Sequence, residues 1–129
     1  MPDTNSTERL SAFINESPTI AERAGADLAS PAHKAAMYDA NGDVVIATSS
    51  DKAIGLFLSD SADLVTKGST ITVLISCIGL LEASGAIAKG DAVTIGADGR
   101  GKAAADGDTI FGRAFTAAPG VGALIQVRI

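Results

Sequence analysis

The sequence predicts an all-β domain, a compact small barrel or sandwich of about nine short strands, and three observations carry that expectation. Short runs of Val, Ile, Leu and Thr recur along the chain. Fourteen glycines, about 11% of the residues against a usual ~7%, fall between those runs rather than in one cluster. No helical pattern of a dozen residues separates the runs, which argues against βαβ units.

The elements follow in order. Lys34–Tyr38 is a candidate strand, and Asp39-Ala40-Asn41-Gly42-Asp43 supplies an Asn-Gly turn before Val44–Thr48 returns. Asn-Gly between two such runs is a strong hairpin signal because both residues tolerate positive φ. Ala53–Leu58 follows, then a polar stretch to Gly68. Ser69–Ser76 opens with the polar–apolar alternation of a strand with one buried face. Cys77–Leu81, with a bend at Gly79, then Ala92–Ile95, Lys102–Ala105, Ile110–Phe115 and Ala123–Ile129 complete the nine.

The pattern also repeats. Gly42 and Gly99 lie 57 positions apart, as do Gly55 and Gly112. At that offset Asn41 meets Asp98, Asp51 meets Asp108, and Ile54 meets Phe111. Turn type, loop length and strand order recur together, which points to an internally duplicated β unit.

Residues 1–19 differ from the rest. They contain no Gly and gather Leu10, Phe13 and Ile14 at helical spacing behind a capping-box pattern, Asn5-Ser6-Thr7-Glu8. A helix of about nine residues is marginal alone in water. The expectation is an N-terminal arm over 1–19, flexible or ordered on a partner as a helix or an extended segment, with Leu10, Phe13 and Ile14 as its partner-binding residues. The β domain then occupies 20–129.

Composition excludes several functions. Ten basic against fifteen acidic residues give a net charge of −5, which disfavours nucleic acid and anionic membranes as partners. No apolar run reaches the roughly 18–20 residues of a membrane helix, and the N-terminus carries no basic-then-apolar signal pattern, so a soluble domain is expected. One cysteine, Cys77, rules out an internal disulfide.

Three motifs invite chemistry, and each has a plainer explanation. Gly96–Ala103 nearly spells a phosphate-binding loop, but Ala103 replaces the Mg²⁺-holding hydroxyl and Ala104-Ala105-Asp106-Gly107 cannot begin a long helix; an Asp-Gly hairpin explains the same residues. Asp39–Asp43 resembles the start of a calcium loop, with its glycine fourth instead of sixth and no Glu at the twelfth position. His33 and Cys77 are the sole members of their types, which excludes zinc sites built from Cys and His. A Cys77–His33 nucleophile pair would need a reactive thiol, whereas Cys77 after an apolar strand reads as a small buried hydrophobe and His33 as a solvated loop residue. No catalytic, metal or cofactor residues are expected.

From Ala83 onward the chain resembles a known family. Ala86-Ile87-Ala88-Lys89-Gly90-Asp91-Ala92-Val93, Ala97-Asp98-Gly99 and Gly107-Asp108-Thr109-Ile110-Phe111-Gly112-Arg113-Ala114, before a Gly-led final strand, are similar to the tailed-bacteriophage head decoration (capsid cement) proteins. Ala24-Gly25-Ala26-Asp27-Leu28, Ala40–Asp43, Ala53-Ile54-Gly55 and Gly68–Val73 are similar to that family's first half. The likeness spans about residues 20–129 and rests on small-residue turns; residues 1–19 have no counterpart in it.

The resemblance implies a non-enzymatic β domain with no cofactor and no small-molecule substrate. It implies a homotrimer on the outer surface of an icosahedral head, made in the host cytoplasm, that binds the major capsid protein and stabilises the expanded shell by clamping neighbouring subunits. A surface module recognising a carbohydrate or receptor is the alternative, against which the scarcity of Trp and Tyr counts; a small enzyme using Cys77 is the third reading.

Overall fold

The structure, a computed structural model, describes residues 17–58 and 61–129. Leu10, Phe13 and Ile14 therefore lie outside the described residues. Those described form β1 (Thr19–Arg23), β2 (Leu28–Ala29), β3 (Ala35–Tyr38), β4 (Val44–Ile46), β5 (Ala53–Phe57), β6 (Leu64–Val65), β7 (Thr70–Leu74), β8 (Ile78–Glu82), β9 (Ala92–Ile95), β10 (Gly101–Ala103), β11 (Gly112–Ala114) and β12 (Leu124–Arg128). All nine expected strands are present: Ala92–Ile95 keeps its expected bounds, β8 and β10 each run one residue past theirs at one end, and the rest are trimmed at their ends. β1, β2 and β6 are additional.

The duplication is explicit in the topology. One sheet runs β1-β7-β5-β3-β4 and the other β8-β12-β11-β9-β10, the same order when β8 stands for β1, β9 to β11 for β3 to β5, and β12 for β7. The edges of each sheet meet through one parallel bridge, Ala24 to Val44 in the first and Ala83 to Gly101 in the second. Each sheet therefore curls into a small barrel, so the fold is two barrels in tandem. The β2–β6 pair, Leu28 opposite Val65, has a single bridge between Ile87 and Ala118 as its counterpart.

Backbone detail repeats as well. Gly42 and Gly99 have φ of 82° and 81°, and Gly68 and Gly122 have 92° and 86°. Asp39 N donates to Asp43 O at 2.7 Å, and Gly96 N donates to Arg100 O at 2.9 Å, closing five-residue loops of the same form. Gly55 and Gly112 share one requirement: a Cβ would lie 2.0 Å from Leu74 O at the first and 2.4 Å from Arg128 O at the second. The strands cross too closely there for any side chain.

The two interiors are filled differently. The first barrel holds Phe57 and Ala36, both buried, where the second holds Ala114 and Val93, so a large and a small residue exchange places around each core. Alternate residues of a strand face opposite sides, and Ala35, Leu56 and Leu74, beside Ala36, Phe57 and Val73, point away from their own barrel. They join Leu81, Ile95 and Val127 in the core of the second. β3, β5 and β7 are thus buried on both faces where they lie against the second repeat.

Candidate interaction surfaces

The seam between the repeats is held by hydrogen bonds from both of them. Ala35 N donates to Gly99 O, and Glu82 N donates to His33 O, both at 2.8 Å. Ser50 Oγ, buried, accepts from Ile95 N at 2.7 Å and lies 2.9 Å from Thr94 Oγ1. Asp51 accepts the Thr109 hydroxyl, and Asp108 Oδ2 accepts from Ala105 N at 2.9 Å. The cleft of about 270 Å³ lined by these residues is a hydrogen-bonded joint. A second groove, about 350 Å³ between β6 and β7, is lined by Ser61, Leu64, Thr66, Thr70 and Thr72 among others, with no titratable side chain among the described residues that line it.

The motifs singled out above take structural roles. Gly96–Arg100 is the hairpin turn between β9 and β10, as the Asp-Gly reading expected. Asp98 Oδ2 receives Arg100 Nε at 2.7 Å, and Arg100 Nη1 reaches Glu82 Oε2 at 3.4 Å. Burial pulls the other way, but the hydrogen bonds and charge of Arg100 hold the Asp98 carboxyl below its usual range. In the β3–β4 turn, Asp39 Oδ1 accepts from Asn41 N at 2.9 Å and Asp43 N at 3.0 Å, an Asx arrangement that explains the acid without a cation.

Two expectations need correction. Cys77 is exposed, not buried: it sits at φ 73° in the tight turn joining β7 to β8, where the chain passes from one repeat to the next. The bend falls there rather than at Gly79, which is inside β8. His33 lies in the turn before β3, in a loop as expected, with its side chain partly exposed. Its φ is 67°, its amide donates to Phe57 O at 3.0 Å, and it fills the position of Gly90, φ 93°, in the second repeat.

What the described surface offers is contact area, and it is uneven. On β8 and β12, Ile78 (47% exposed), Leu80 (39%) and Leu124 (47%) stand outward. The corresponding residues of the first repeat are Thr19, Ala21 and Thr70. Gln126 faces Leu80, Arg128 faces Ile78, and Arg113 of β11 faces Arg128 across the ladder. These side chains stand on the outer face of the second barrel, so an apolar patch there is open to a partner. None of these residues stood out in the sequence. Lining up the repeats would have exposed them as the outward positions at which the second copy is apolar or basic.

At the open end of the first barrel, Tyr38 Oη donates to the Glu22 carboxylate. That hydrogen bond, with desolvation and the carboxylate's charge, raises the Tyr38 pKa. The equivalent positions in the second repeat are Ile95 and Leu81, both buried.

No protein-family model and no curated protein matches the chain. Among solved structures, the chain is similar to the N base of the head fibre gp8.5 of bacteriophage phi29, with a TM-score of 0.62 and 24% identity over 86% of this chain and 92% of that one. The tandem-barrel fold is therefore one that the base of a phage head fibre also adopts.

Proposed function

We propose that the chain is a structural virion protein of a tailed phage, a decoration protein that binds the outer surface of the icosahedral head and stabilises the expanded shell by clamping neighbouring major capsid subunits. The observation that carries this reading is the fold shared, over nearly its whole length, with the base of a head fibre. The surface agrees with it: the described polar groups of the seam are engaged in holding two repeats together, and the outward apolar residues gather on the second repeat.

Such a protein acts through adhesion. Three copies in a homotrimer engage a shell at several points, and effective concentration converts modest single contacts into slow dissociation. A protein that binds the expanded shell and not its precursor stabilises the expanded one by mass action. The arm supplies Leu10, Phe13 and Ile14 as contacts that order on the capsid, and Leu80 and Leu124 supply a separate apolar contact.

Co-sedimentation tests the reading. The full chain is expected to pellet with expanded empty heads and not with unexpanded proheads, and deleting residues 2–16 is expected to weaken that binding while leaving the β spectrum intact. A chain that stays in the supernatant with both forms contradicts the proposal. A truncated chain that no longer folds would place Phe13 and Ile14 in the core instead.

A further inference from the structure

The contact between the two repeats is head-to-tail, and that leaves one copy of each half unused. On the covered side, Leu56 and Leu74 of the first repeat press on the open end of the second barrel, beside Leu81 and Ile95. The same position on the second repeat is held by Arg113 and Arg128, which are exposed. The matching open end of the first barrel carries Glu22 and Tyr38 where the second carries Leu81 and Ile95. Both halves have changed together. Apolar meets apolar inside the chain, and a basic pair is matched by an acid and an aromatic ring on the free ends.

From this we infer that a second copy of this chain docks head-to-tail, with Arg113 and Arg128 of one copy on Glu22 and Tyr38 of the next. Three further observations support the match. Ile20, packed on the first core, stands where Gly79 makes room for Leu74 in the second barrel, so a neighbour's leucine could not seat itself there as Leu74 does. Arg113 and Arg128 are register partners in the ladder, and Arg113 Nη1 donates to Gly90 O at 2.7 Å, so two basic side chains share one exposed face that a neighbour's carboxylate would neutralise. Guanidinium groups also stack on aromatic faces, and Tyr38 is 39% exposed. A heterologous contact of this kind closes into a ring when its rotation allows. Leu80 and Leu124 stay outside the arginine row: Leu124 is four residues along β12 from Arg128, about 13 Å at strand spacing, and so is free for the shell.

This assignment rests on the proposed trimer, and the test separates the two. Light scattering behind size exclusion, on the full chain at about 100 µM in low salt, is expected to give three chains for the wild type. R128E and E22R are each expected to give one chain that keeps the β circular-dichroism spectrum of the wild type, and the double variant E22R/R128E to return to three. R113E serves as an independent second disruption. A wild type that remains a single chain overturns both the trimer and this surface. A trimer indifferent to R128E, R113E and E22R, or single swaps that the double variant fails to rescue, overturns the surface alone.

Discussion

Leu74 Cδ2 lies 2.4 Å from the point that a Cβ on Gly79 would occupy, with Leu56 Cδ1 2.9 Å away. The absence of a side chain on Gly79 is what lets the first repeat seat itself on the second. Gly79→Ala should therefore cost about 1–3 kcal/mol, because the two leucine tips must shift in a filled core. Gly55→Ala should cost more, since its Cβ would strike the Leu74 carbonyl, a backbone atom, at 2.0 Å. Urea denaturation of both variants checks the order; equal midpoints with the wild type would contradict the seam.

His33 occupies in the first repeat the left-handed turn that Gly90 occupies in the second. A left-handed conformation costs a non-glycine residue roughly 1–2 kcal/mol, and the extra freedom of an unfolded glycine gives back roughly 0.5–1. His33→Gly is thus expected to stabilise the chain by up to about 1 kcal/mol, raising the denaturation midpoint. A fall in the midpoint would show that the His33 ring contributes more by packing than its backbone costs.

Ser50 Oγ is the acceptor for a buried amide, Ile95 N, from the opposite repeat. Ser50→Ala leaves that donor without its partner, at a cost of about 1–3 kcal/mol. Amide hydrogen exchange at Ile95 is expected to accelerate well beyond the global effect. Unchanged protection there would mean that the amide finds another acceptor.

Tyr38 is the sole tyrosine, so ultraviolet titration reads it alone. The hydrogen bond to Glu22 raises its folded pKa above the unfolded value. The sign follows: the stabilisation is present in full below the unfolded pKa and is lost as pH rises through the higher folded one. The titration midpoint of the native chain is expected above that of the denatured chain, and Glu22→Gln is expected to bring it down. A native midpoint at or below the denatured one would contradict the Tyr38–Glu22 contact.

Much of the fold was legible before any coordinate. Asn41-Gly42 marked the β3–β4 hairpin, the 57-residue echo marked the duplication, and nine strands stood where short runs between glycine-bearing turns predicted them. What escaped was non-local. β2 and β6 are two residues each, too short to show a period, and hold one another across the chain. β1 follows Pro18 in a polar, half-exposed stretch and is defined by its pairing with β7. The seam was hidden because Leu56-Phe57 and Val73-Leu74 are buried on both faces, where alternation would send one of each pair to solvent. Compared with Arg113-Ala114 and Val127-Arg128, those doublets announce which face is covered.

Thermal disruption of heads tests the proposed clamp most directly. Calorimetry of expanded empty heads with and without saturating protein is expected to show the disruption transition moved to higher temperature, by an amount that grows with protein concentration. Heads that melt at the same temperature in both samples would contradict it.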